Sequence, residues 1–456
     1  MARDITDASS IESRDALVAW FEEGCKPADQ FRVGTEHEKI PFFRGSHAPV
    51  AFEGAKGIQA LLQGMQAKLG WESILDEGRL IGLYDANGGG AISLEPGGQF
   101  ELSGAPLTTI HETAAEIERH LADVANVGRA LGIGFLTLGL SPKWTLAETP
   151  VMPKSRYQIM ARYMPRVGSR GLDMMFRTAT VQANLDFSSE ADMVKKLRVG
   201  LALQPIATAL FANSPFLEGR PNGLLSGRSE IWRDTDNARA GMLPFAFESG
   251  MGFERYVDYA LDVPMYFVKR GAHYHDVAGA SFRDLLAGRL AALTGERATM
   301  SDWVNHLSTI FPEVRLKRYL EMRGADVGPR ERICALPALF VGLYYDSIAL
   351  DAALELINAW SAEERQKLRD NVPRLALAAR IGGRSVRDVA RDVLAISRAG
   401  LARRGRRDAS GRDETIYLEP LERIVETGQT AAEDWLARYA GPWRKTVEPI
   451  FEEAAY

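Results

Sequence analysis

Cysteine is almost missing from this chain. Two residues in 456, Cys25 and Cys334, exclude a disulfide scaffold and fit a reducing compartment. Histidine is also sparse, with 7 residues, and no His/Cys cluster has zinc-ligand spacing. His273 and His275 stand two apart without a third ligand nearby, which reads as a solvated loop. Long hydrophobic runs are absent too: no apolar stretch approaches the roughly 20 residues of a membrane span, and Met1 to Asp7 has no apolar signal-peptide core. Nor is there an excess of positive charge. Lys and Arg number 55 against 60 Asp and Glu, a formal net charge of −5, which argues against nucleic acid as the main partner. The basic run Arg403–Arg407 lies beside acids and reads as a solvated surface. The glycines of Asn87-Gly88-Gly89-Gly90 lack the strand-to-helix context of a P-loop or a Rossmann turn and read as a hairpin turn. Together these absences lead to the expectation of a globular cytoplasmic protein without membrane or nucleic-acid partners.

What is present is a large apolar fraction, 46% of 456 residues, enough for a sizeable core. With no clear linker and no internal repeat, a single catalytic domain over 1–456 is expected, helical from about Leu336 onward. Helical spacing is visible from Ser10 to Gly24, in Ile58, Leu61, Leu62, Met65 and Leu69, and in Ile110, Ala114, Ile117, Leu121 and Val124. Ser189 can cap a helix in which Pro205 is a kink. Strand patterns occupy Phe31–Phe43, Leu80–Tyr84, Ala91–Glu95, Gly134–Leu140, Met174–Phe187 and Leu316–Arg323.

Carboxylates recur on one face of these strands. In Ser93-Leu94-Glu95-Pro96-Gly97-Gly98-Gln99-Phe100-Glu101-Leu102-Ser103, side chains two apart share a face. Ser93 and Glu95 therefore point one way before the turn, and Gln99, Glu101 and Ser103 share a face after it. Glu36 and Glu38 likewise stand on one face of a strand, roughly 7 Å apart. Like charges so close repel and raise each other's pKa unless a cation lies between them. Oxygen donors of this kind select Mg²⁺ or Mn²⁺. Thr180, Gln182, Asn184 and Asp186 form a further polar face, and Tyr319, Glu321 and Arg323 another. Acids for divalent ions and arginines for anions suit phosphoryl transfer from ATP. The residues alone leave two readings: a metal- and nucleotide-dependent enzyme on an antiparallel sheet, or a binding protein that uses the sheet as a ligand cup.

Longer motifs carry a resemblance. Arg32-Val33-Gly34-Thr35-Glu36-His37-Glu38-Lys39, the Ser93–Gly104 segment, Gly171–Thr178, Val181–Phe187 and Tyr319–Asp326 resemble glutamate–cysteine ligases of the plant and proteobacterial type, from about residue 10 to the C-terminus. The resemblance implies an α+β fold similar to the catalytic half of glutamine synthetase: a curved, mainly antiparallel sheet, its concave face the active site, surrounded by helices. It implies ATP-dependent ligation of the glutamate γ-carboxylate to cysteine through γ-glutamyl phosphate, giving γ-glutamylcysteine, ADP and phosphate, the first step of glutathione biosynthesis. A different amine acceptor, or a non-catalytic relative that only binds ligand, is the alternative.

By the same resemblance, Glu36, Glu38, Glu95, Glu101 and Glu321 fall at or near the metal-binding acids, for Mg²⁺ or Mn²⁺. Arg156 and Arg228 match arginines that hold substrate carboxylate, and Tyr266 matches a residue lining the cysteine pocket. Arg323 is the candidate for a phosphate or glutamate contact and, with Arg228, for catalysis. Gln182 and Asn184 are substrate-binding candidates from their strand face. Glutathione is the implied feedback inhibitor, and a monomer or weak homodimer the implied assembly. Many plant members carry regulatory disulfides; here one cysteine position is Ala114 although its partner keeps Cys334, and the other pair falls at Val277 and Ala292. Neither bridge can form, so redox-insensitive activity is expected.

Overall fold

The structure, a computed structural model, describes residues 7–456. Its centre is an open, antiparallel sheet of nine strands among the described residues. In chain order these are β1 (Val33–Phe43), β2 (Glu72–Asp76), β3 (Arg79–Tyr84), β4 (Gly90–Leu94), β5 (Phe100–Gly104), β6 (Ile133–Leu136), β7 (Thr180–Leu185), β8 (Val314–Leu316) and β9 (Leu320–Asp326). Their spatial order is β8-β9-β7-β1-β5-β4-β3-β2. The long β1 changes neighbours along its length. Glu36–Lys39 pair with β5, Val33–His37 with β7, and Ile40–Phe43 with β6. The fold is α+β, as the resemblance implied.

Alternation gives the sheet two unlike faces. Val33, Ile92, Leu94, Phe100, Leu102, Val181, Ala183, Leu185, Leu320 and Met322 are nearly or wholly buried, and helices α2 (Ile58–Leu69), α3 (Ile110–Leu131), α6 (Glu190–Leu210) and α8 (Arg330–Tyr344) pack against the strands. Local chemistry sets the helix ends. Thr109 and Glu112 form a reciprocal capping box at the start of α3, and Gly132, at φ 74°, ends it. Ser13 caps α1 (Arg14–Glu22), and Ser189 caps α6 as its position suggests. Pro205 is accommodated inside the continuous α6 and does not break it. No single helix among the described residues is long and apolar enough to cross a membrane.

Two strand expectations are corrected. The alternating run from Met174 begins as a helix, α5 (Gly171–Arg177), in which Asp173 and Arg177 pair one turn apart; β7 starts only at Thr180. Leu316–Arg323 is two strands, because Lys317–Tyr319 turn the chain back so that Arg315 faces Glu321. His273 and His275 lie on a two-stranded ribbon, Phe267–Arg270 with His273–Asp276, not in a loop; His273 is exposed and His275 half-buried. The final residues return to the sheet, where Thr137 donates to the Ala454 carbonyl and Tyr456 to that of Phe135.

Candidate active site

The polar face of the sheet forms the floor of a cleft of about 940 Å³, open mouth included. Glu36 and Glu38 come from β1, Glu101 from β5, Thr180 and Gln182 from β7, Arg315 from β8 and Arg323 from β9. Walls are added by the Glu95–Gln99 turn, by α4 (Ser155–Tyr163) with Arg156, Tyr157 and Met160, and by α7 (Gly227–Ile231) with Arg228. Trp232 and Phe311, in edge-to-face contact at 5.7 Å, complete an aromatic corner.

Strand register brings the acids together. Glu38 lies directly across from Glu101, which in turn lies across from Ser93. The hydroxyls of Ser93 and Ser103 each donate to Glu101 at 2.9 Å, and the Thr180 amide donates to Glu38 at 3.0 Å. Burial, then the charges of Glu95 and Glu101, push the Glu38 carboxyl well above its ordinary pKa, while Arg228 and the Thr180 bond oppose the rise. Tyr157, whose hydroxyl donates to the Leu94 carbonyl at 2.7 Å and approaches Glu95 at 3.5 Å, is pushed up by burial and by Glu95.

Glu38, Glu95 and Glu101 thus crowd one another, with oxygen donors of the kind that suit a hard divalent cation. Among the described residues no three His, Cys, Asp or Glu side chains are grouped to hold a metal ion by themselves. The carboxylate oxygens of Glu38, Glu95 and Glu101 are of the kind Mg²⁺ takes, an ion that commonly binds one or two carboxylates and completes its shell with water and substrate phosphate.

The arginines are fixed from behind. Arg228 is 3% exposed; its Nη2 donates to the Arg323 carbonyl at 2.8 Å and its amide to Ser214 Oγ at 3.1 Å. Burial lowers its pKa, against which Asp326 and Glu38 pull upward. Asp326 accepts from Asn213, Ser214 and Ser226, so its charge is held in place under α7. Arg323 donates to Gln182 at 2.8 Å and pairs with Glu321.

Residues 32–453 match the family described as glutamate-cysteine ligase family 2. A chloroplastic glutamate–cysteine ligase of Nicotiana tabacum is 54% identical over 453 residues, covering 99% of this chain and 85% of the relative. The chain belongs to the glutamate–cysteine ligase family. A chloroplastic ligase of Arabidopsis thaliana is 53% identical over 444 residues, covering 97% and 83%. Among solved structures, a glutamate–cysteine ligase from Francisella tularensis in complex with AMP superposes with a TM-score of 0.55 over 93% of this chain and 87% of that one, at 13% identity, which supports the shared fold. These curated ligases are all named chloroplastic. The expected cytoplasmic location is overturned by these names, which place the relatives in plastids.

Against the residues expected for this family, Glu36, Glu38, Glu95, Glu101, Arg156, Arg228, Arg323 and Gln182 all border the cleft. Three of the expected residues do not border it. Glu321 is fully buried and spent: Arg315 grips it through two bonds of 2.7 and 2.9 Å, Lys317 adds one of 2.9 Å, and Arg323 a further one. Although burial alone would raise its pKa, these three cations hold it well below the usual range. Its charge is committed to orienting the cations and is not presented as a metal ligand. Tyr266 is 1% exposed, its hydroxyl donating to Asp236 at 3.1 Å and the Arg239 guanidinium 3.7 Å from its ring centre, and it does not border the cleft. Asn184 does not border the cleft; its amide donates to Glu36 at 2.9 Å and steadies that acid. Sequence reasoning put Thr180 on the polar strand face but did not single out Trp232, Phe311 and Arg315, which carry no motif and reach the cleft only through the folded register.

Proposed function

We propose that the chain joins the γ-carboxylate of glutamate to the amine of cysteine at the cost of ATP, in this cleft. The observation that carries the reading is that four carboxylates and the arginines 156, 228 and 323 line one cavity on the sheet's polar face. Glu38 and Glu101, with Glu95 beside them, would hold Mg²⁺, whose positive charge would offset that of the acids and of the triphosphate. Arg156 and Arg228 grip glutamate, since a guanidinium fork matches a carboxylate. Arg323, braced by Gln182, faces the reacting γ-carboxylate and stabilises the negative charge that develops there.

A γ-carboxylate oxygen attacks the γ-phosphorus of ATP and ADP leaves. The cysteine amine then attacks the acyl carbon, and inorganic phosphate departs with that oxygen. Trp232, Phe311 and Met160 exclude water from the acyl phosphate, which would otherwise hydrolyse. The whole chain works as one catalytic unit in this reading: Arg369, from α9 (Ala362–Leu375) in the helical C-terminal part, pairs with Glu313 at 2.5 Å and donates to the Ser229 carbonyl at 3.2 Å. Glutathione contains the product's γ-glutamylcysteinyl group and so competes for the same cleft. The test is ADP release with ATP, glutamate and a panel of amines, the product identified by mass. Release that requires cysteine, with γ-glutamylcysteine formed, supports the assignment; release with another amine at higher kcat/KM reassigns the acceptor.

A further inference from the structure

Strand β9 does not follow β7 regularly. Met322 pairs with Ala183, but Ala325 pairs with Val181. Arg323 and Gly324 therefore stand together against Gln182 alone, a β-bulge of the kind that re-aims a side chain. A bulge frees backbone groups that must find other partners. All four are satisfied here. The Arg323 amide donates to the Glu313 carbonyl at 3.2 Å, and the Arg323 carbonyl accepts from Arg228 at 2.8 Å. The Gly324 amide donates to Gln204 Oε1 at 2.7 Å, and the Gly324 carbonyl accepts from Thr208 Oγ1 at 2.8 Å.

Gln204 and Thr208 lie one turn apart on α6, 1% and 2% exposed. Their helical neighbours Leu201, Ala202, Leu203, Ile206, Ala207, Ala209 and Leu210 are all buried and apolar. Two polar side chains in such a row cost stability unless they are hydrogen-bonded, and both bond the same glycine. The fit is close: a Cβ on Gly324 would stand 2.6 Å from Gln204 Oε1. Because the bulge holds the Arg323 side chain over Gln182 and offers its carbonyl to Arg228, its position sets both arginines at once.

We propose that Gln204 and Thr208 are positioning residues that clamp the β9 bulge and thereby aim Arg323 and Arg228 at glutamate. This rests on the reading of those two arginines as glutamate contacts. Neither α6 residue touches the cleft; each acts through Gly324.

The experiment measures kcat, the KM for glutamate and for ATP, and the melting temperature, in Gln204→Met, Thr208→Val, Thr208→Ser and Arg323→Lys. The clamp predicts that Gln204→Met and Thr208→Val raise the glutamate KM about tenfold while the ATP KM stays within about twofold, and that Thr208→Ser, which keeps the hydroxyl, restores most of the loss. If both variants fold and bind glutamate normally while Arg323→Lys does not, the clamp is wrong and the role of Arg323 stands. A normal glutamate KM in Arg323→Lys removes that role and the clamp with it. Equal losses for both substrates, or failure of both α6 variants to fold, would show that the two residues serve only the core.

Discussion

At the residue scale the site is governed by unequal treatment of similar acids. Glu321 sits among Arg315, Lys317 and Arg323 and is fully neutralised, whereas Glu38 faces Glu95 and Glu101 with Arg228 and the Thr180 amide in opposition. A carboxyl whose folded pKa is raised costs the fold stability progressively as pH climbs from the ordinary value through the raised one, and the whole penalty is present above it. Glu38→Gln removes this penalty. The substrate-free variant is expected to melt higher than the parent at pH 8, by on the order of 1 kcal/mol, and the gap to shrink toward about pH 4, while turnover falls by about two orders of magnitude or more. Thermal melts at the two pH values with a parallel assay check both halves. For Arg228→Lys, loss of the fork should raise the glutamate KM about tenfold or more and leave the ATP KM nearly unchanged; equal effects on both would detach Arg228 from glutamate. Tyr266→Phe removes only the bond to Asp236 and should leave the cysteine KM within about twofold, with about 1 kcal/mol less stability.

At the element scale the polar sheet face was legible because side chains alternate along a strand. Glu36, Glu38, Gln182 and Glu101 reach one cleft for that reason. What alternation cannot carry is register and bulging. The hairpin that folds Arg315 onto Glu321, and the extra residue in β9, depend on pairings between segments far apart in sequence. Met174–Arg177 alternated by chance, and the Asp173–Arg177 pair one turn apart is satisfied only in a helix. The Glu95–Gln99 turn shows how an element can place a residue. Gln99 accepts from the Gly97 amide at 2.9 Å and donates to the Thr178 carbonyl at 2.8 Å, locking the turn to the end of α5. A Cβ on Gly97 would lie 2.1 Å from the Phe176 carbonyl oxygen. Gly97→Ala is therefore expected to shift Glu95 and cut kcat about tenfold or more in a protein that still folds, measured by turnover beside circular dichroism.

At the scale of the whole molecule, the helices and the returning C-terminal residues support one sheet whose polar face bears the chemistry. The thiols stand apart from that chemistry. Cys25 is half-buried, Cys334 is buried with its pKa pushed up to about 12 by burial, and both are free. A thiol with so high a pKa is almost wholly protonated and unreactive at neutral pH. Activity and molecular size are expected to be the same with and without dithiothreitol, checked by assay and sizing; a several-fold change on reduction would show that the thiols pair. The cleft is expected to activate glutamate by passing phosphate to its γ-carboxylate before the amine arrives. Glutamate labelled with ¹⁸O in the γ-carboxylate tests this directly, by mass analysis of the phosphate released with γ-glutamylcysteine. One labelled oxygen in each phosphate is the predicted result, and phosphate free of label would contradict the account.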